Sequence, residues 1–101
     1  MTPLAIEQTQ DGSDWVIRLR GELDMMSAPR LAEALEQAPE GGQVVIDLGG
    51  VQFMDSIGLR ALLVAHKASQ RDGGRLRLRR GPEPVQRVFR ITGTESLLPF
   101  E

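Results

Sequence analysis

The chain has 101 residues, 12 Lys and Arg against 14 Asp and Glu for a formal charge of −2, 41% hydrophobic residues and no cysteine. That length suits a single domain spanning 1–101, with one core that buries roughly two-thirds of the unfolded surface. The missing cysteines exclude disulfides, thiolate metal sites and cysteine nucleophiles and fit a reducing compartment, while a lone His66 gives no histidine cluster for zinc.

Leu4 and Ile6 alternate weakly before the turn cluster Asp11-Gly12-Ser13-Asp14. Trp15, Ile17 and Leu19 then alternate with Val16, Arg18 and Arg20, which predicts a strand and, with the turn, a hairpin that Gly21 ends. Ser27 is placed to cap a first helix with Pro29 in its first turn, and Leu31, Ala34, Leu35 and Ala38 form its apolar side. That helix stops before Pro39 and Gly41-Gly42. The run Val44-Val45-Ile46-Asp47-Leu48 has the composition of a central strand buried on both faces.

Gly49-Gly50 loosens the chain, and Val51 and Phe53 are expected to re-enter the core. Asp55-Ser56 opens a second helix whose apolar side holds Leu59, Leu62, Leu63 and His66, extended by Ile57 and Val64. Gly73-Gly74 ends it. Leu76 and Leu78 alternate with arginines in another strand, and a third helix from Pro82 to Ile91 turns Val85, Val88, Phe89 and Ile91 inward. The fold class is therefore α/β, a small mixed β-sheet with helices packed against it. The order is β-β-α-β-α-β-α, with a possible final β over Leu97–Phe100.

No apolar run approaches the roughly 20 residues of a membrane-spanning helix. Met1 to Gln10 lacks the basic patch and apolar stretch of a secretory signal, so the expectation is a soluble, cytoplasmic domain without a membrane role. Charge is unevenly distributed along the chain. Residues 1–55 hold ten acids and three bases, net −7, and residues 56–101 hold nine bases and four acids, net +5. Folding is expected to intermix the two halves. The basic stretch Arg75 to Arg80 lacks interleaved aromatics, which argues for a solvated strand face and against direct nucleic-acid binding.

The most informative segment is Val51-Gln52-Phe53-Met54-Asp55-Ser56-Ile57-Gly58-Leu59. Ser56 sits where free backbone N–H groups and the helix dipole favour negative charge. Capping alone would explain a serine there, yet Asp55 is already a good cap. Gly58 costs about 1 kcal/mol of helix propensity against alanine, which points to a close approach to the backbone. A hydrolase nucleophile fails on geometry. His66 lies ten residues along the same helix, roughly 15 Å away at 1.5 Å per residue, where a base must reach about 3 Å. The three Gly-Gly pairs fit no phosphate-binding loop and read as turns. Asp24, Asp47 and Asp55 make at most a weak candidate for magnesium.

Gly21-Glu22-Leu23-Asp24, Val45-Ile46-Asp47-Leu48 and Phe53-Met54-Asp55-Ser56-Ile57-Gly58-Leu59 together resemble the STAS domain of anti-sigma factor antagonists, over nearly the entire chain. The resemblance implies a binding module and no enzyme. It makes Ser56 the phosphoacceptor and Asp24, Met25, Asp55, Ser56, Ile57 and Gly58 the partner-binding residues. The implied partners are an anti-sigma factor that is itself a serine kinase and a serine phosphatase. No cofactor belongs to the domain, because ATP and magnesium come with the kinase. Ile57 departs from the Ser or Thr frequent in the family. STAS-like domains also serve as small subunits clamped on the ATPase of bacterial ABC-type lipid-transport complexes, and that is the alternative reading.

Overall fold

The computed structural model describes residues 2–101. Strands β1 (Ala5–Asp11) and β2 (Asp14–Leu23) form the expected antiparallel hairpin, with Ala5 opposite Arg20 and Asp11 opposite Asp14. Gly12 opens its two-residue turn at φ +62°, a conformation that glycine adopts without steric penalty. Helix α1 (Ala28–Glu36), strand β3 (Val44–Met54), helix α2 (Ser56–Arg71), strand β4 (Leu76–Arg79) and helix α3 (Glu83–Ile91) follow. The sheet order is β1-β2-β3-β4, and β3 pairs in parallel with both β2 and β4. This is the α/β mixed sheet that the sequence predicts. Right-handed crossovers between successive parallel strands put α1 and α2 on the same face.

The strand pattern explains the core. Ile17 and Leu19, Ile46 and Leu48, and Leu78 pack in one cluster with Leu31, Leu62 and Phe89 of the three helices, and each of these is fully buried. Each such side chain contributes about 1.5–3 kcal/mol relative to exposure. Val45 is also fully buried on the opposite side of β3, beside Val16 in register, so the central strand is covered on both faces there.

Five expectations need correction. β2 does not end at Gly21 but runs to Leu23, and β3 does not loosen at Gly49-Gly50 but continues to Met54. The glycines instead let the strands bulge: β2 and β3 slip register between Arg18 and Arg20 and again between Gly21 and Glu22. A Cβ on Gly50 would stand 2.4 Å from Arg20 Cγ and 2.9 Å from the Leu19 carbonyl oxygen. The second slip breaks the period-two alternation, so Val51 is buried but Phe53 faces solvent. In α3, Val85 and Phe89 are buried, whereas Ile91 is 71% exposed. The final strand reduces to a single bridge from Phe100 to Leu78 after a short 3-10 turn at Glu95–Leu97.

Candidate functional site

Because β2 and β3 are parallel neighbours with Leu23 opposite Met54, the loops that leave their C-terminal ends lie side by side. One is Asp24–Ser27, leading into α1; the other is Asp55, leading into α2. In an open parallel sheet, the carboxyl ends of the strands are where binding residues converge.

Asp55 is the N-cap of α2 in extended conformation. One carboxylate oxygen accepts from Gly58 N at 2.8 Å, and the other accepts from Met25 N at 3.4 Å in the neighbouring loop. Asp55 N donates to the Leu23 carbonyl at 3.3 Å. A single residue thus ties α2, β2 and the β2–α1 loop together. Asp24 works the same way within its own loop, accepting from Met26 N at 3.0 Å and Ser27 N at 3.1 Å. Both carboxylates are occupied by backbone N–H groups, and no cluster of three or more metal-ligating side chains occurs among the described residues. Asp47 stands apart on the sheet, beside Arg18 and Arg79.

Ser27 stands at the cap position of α1, but its hydroxyl does not cap the helix. It is buried, accepts from Asp24 N at 2.9 Å and donates to the Glu22 carbonyl at 2.9 Å. The hydroxyl therefore shapes the loop, and Pro29 in the first turn of α1 removes one donor that would need a cap.

Ser56 is the first residue of α2 and is exposed. The cap is made by Asp55, so the Ser56 hydroxyl is left over at the positive end of a 16-residue helix. The side chains beside it are apolar and exposed. Ile57 follows on α2 at 41% exposure, and Met25 and Met26 in the neighbouring loop are 64% and 80% exposed. Gly58 turns the other way. It is buried, and a Cβ there would lie 2.2 Å from the Leu23 carbonyl oxygen. The close approach that its glycine signals is made by the domain's own backbone, so Gly58 presents no side chain to a partner.

Two features escaped the sequence pattern. Phe53, 50% exposed, adds an aromatic to this end of β3, paired in register with Glu22; only the register slip brings it out. Between α1 and α2 runs an apolar groove of about 540 Å³. Ala28 and Ile57 line it at the Ser56 end, and Asp72 and Arg75 at the far end of α2. Its walls include Ala32, Ala61 and Ala65, small side chains that keep the groove open. His66, half-buried, is on α2 and well away from Ser56.

The arginine run is absorbed by the fold. Arg75 donates to the Gly41 and Pro39 carbonyls, and Arg79 pairs with Asp47 and Glu101. Arg80 pairs with Glu95 at 3.1 Å and lies over the Phe100 ring.

Comparison with known proteins agrees with this geometry. The family model described as "Mlab, STAS domain" matches residues 6–99. The anti-sigma-B factor antagonist of Bacillus subtilis is 34% identical over 94 residues, covering 92% of this chain and 86% of that protein. An anti-sigma factor antagonist from Mycobacterium paratuberculosis superposes with a TM-score of 0.83 at 25% identity, covering 96% of this chain and 84% of that one. The anti-sigma factor antagonist SpoIIAA shares the fold in its unphosphorylated form, with a TM-score of 0.71, 24% identity and coverage of 96% and 86%. Its phosphorylated form gives 0.65, 22%, 96% and 89%. No helix among the described residues is long and apolar enough to cross a membrane.

Proposed function

The chain belongs to the STAS-domain family of anti-sigma factor antagonists, and on that premise we propose that it is a binding module switched by phosphorylation of Ser56. In the unphosphorylated state the end of the molecule around Ser56 docks an anti-sigma factor that is also a serine kinase, and the sigma factor is released. The kinase transfers the γ-phosphoryl group of ATP to Ser56 Oγ; the bond to ADP breaks and the hydroxyl proton is released. A serine phosphatase hydrolyses the phosphoserine and resets the module. The domain performs no catalysis itself, and ATP and magnesium are supplied by the kinase.

The observation that carries this reading is the division of labour at the start of α2. Asp55 satisfies the helix end, while the adjacent Ser56 is exposed and spare, bordered by exposed Met25, Met26 and Ile57. Methionines make an adaptable apolar surface. Phosphorylation would place about −1.5 to −2 charges there. Within the free domain, the N-terminus of α2 stabilises the added group. Against a docked partner it is costly, because apolar side chains surround it and Asp24 and Asp55 already make this end acidic. The switch is then local charge and bulk, with no refolding.

Incubation with the cognate kinase and ATP should label Ser56 alone, as mapped by mass spectrometry; label elsewhere, or none, overturns the reading. In pull-downs, Ser56→Ala should keep a small kinase-like ATPase bound and Ser56→Asp should lose it. Recovery of an ATP-binding-cassette subunit by both variants would instead make the domain a subunit of a lipid-transport assembly. The family model's description, "Mlab, STAS domain", is compatible with that outcome as well.

A further inference from the structure

We propose that Arg60 is the counter-ion that captures the phosphate on Ser56 within the free domain. Phosphorylation thereby draws this guanidinium away from the rim of the α1/α2 groove while it adds negative charge beside it. The inference rests on the phosphoacceptor reading of Ser56 and assigns the residue that responds to the modification.

Spacing is the first ground. Ser56 and Arg60 are four residues apart on α2, and both are exposed. Positions i and i+4 on a helix are neighbours, with Cβ atoms roughly 5–6 Å apart, and an acid placed N-terminal to a base is the favourable order. A guanidinium matches phosphate oxygens with two parallel N–H donors, which makes arginine better suited than lysine to this contact.

Availability is the second. Among the described residues, Arg60 takes part in no ion pair or side-chain hydrogen bond, whereas Arg18, Arg75, Arg79, Arg80 and Arg90 are all engaged. Nothing has to be broken for Arg60 to turn to a phosphate. The third is position: Arg60 lines the groove together with Ile57, Ala61 and Val64. It therefore stands between the Ser56 hydroxyl and the groove, and one side chain can report the state of the first to whatever approaches the second.

The carboxylates at this end of the molecule include Asp55 in the cap and Asp24 in the β2–α1 loop, both held by backbone N–H groups. They oppose a second negative charge on the phosphate, and they are common to every Arg60 variant. A comparison among variants therefore isolates the guanidinium.

Phosphoserine installed at position 56 during translation removes any dependence on the kinase. The second ionisation of the phosphate is then followed by phosphorus NMR at low salt in the wild type, Arg60→Gln, Arg60→Lys and, as a control at the far end of α2, Arg71→Gln. The midpoint should rise by about 0.3 pH unit in Arg60→Gln, as a helical i,i+4 ion pair implies. Arg60→Lys should fall between, Arg71→Gln should match the wild type, and about 1 M salt should erase the differences. Equal midpoints in all four proteins at low salt would overturn the proposal and leave the helix N-terminus as the sole support of the phosphate. Failure of a kinase to label Ser56 is a separate result and bears only on the phosphoacceptor reading.

Discussion

Asp55 and Ser56 are adjacent and both polar, yet their side chains are engaged in opposite ways. The two oxygens of Asp55 join Gly58 N to Met25 N across the site, while the cap makes no use of the Ser56 hydroxyl. Stability should therefore separate them. Asp55→Ala removes both contacts and should cost about 1–2 kcal/mol in urea unfolding, whereas Ser56→Ala should stay within about 0.5 kcal/mol of the wild type. A loss at Ser56 as large as at Asp55 would return the serine to a structural role. Gly58→Ala adds a further test. Overpacking against the Leu23 backbone should cost about 1–3 kcal/mol, more than offsetting the gain in helix propensity. The spare serine beside a sufficient cap was legible in the sequence. The reason for Gly58 was not, because the carbonyl that it meets belongs to a residue 35 positions earlier and reaches it only through strand pairing.

At the level of elements, periodicity identified the four strands and three α-helices, though not the 3-10 turn at Glu95–Leu97, and placed most faces correctly. It failed where the period was interrupted or ran out, and at Ile57 and Val64, which it set on the apolar side of α2 and which are exposed along the α1/α2 groove. Phe53 follows a register slip, beyond which alternation no longer predicts a face. Ile91 is six residues beyond Val85, about 240° around an α-helix at 3.6 residues per turn, and so leaves the stripe that Val85 and Phe89 share. Its apolar character alone suggested burial. Phe89→Ala, which empties a fully buried position and removes an edge-on contact with Phe100 at 5.1 Å between ring centroids, should cost about 3–5 kcal/mol. Ile91→Ser should change stability by no more than about 0.5 kcal/mol. Comparable losses at both positions, measured by denaturant unfolding, would mean that α3 is rotated from the phase described.

Across the whole molecule, the lengthwise split of charge, net −7 then +5, is bridged on the sheet by the pairing of Asp47 with Arg79. Register places Glu7, Arg18, Asp47 and Arg79 in one row across the sheet, one from each strand, and Glu101 extends it. Neighbours in the row approach to 3.6–3.8 Å with alternating sign. Within the row, Asp47 from the first half meets Arg79 from the second, on the sheet face where Arg18 and Arg79 remain partly exposed, while the other contacts of the row join residues of the same half. The sequence showed the imbalance but not the pairing, which depends on the strand order. Asp47 sits between two arginines and is the least exposed member of the row, so it tests the arrangement. Asp47→Asn keeps an oxygen to accept from Gly49 N, as the carboxylate does at 2.8 Å, and removes only the charge. Partly exposed pairs contribute little individually, so the variant should lose about 0.5–1 kcal/mol at low ionic strength. At about 1 M salt, where screening acts within roughly 3 Å, the difference should shrink toward zero. Urea unfolding at both ionic strengths measures this. A loss that persists undiminished in high salt would mean that Asp47 acts through its hydrogen bond to the β3 backbone, and that the row of charges does not stabilise the sheet.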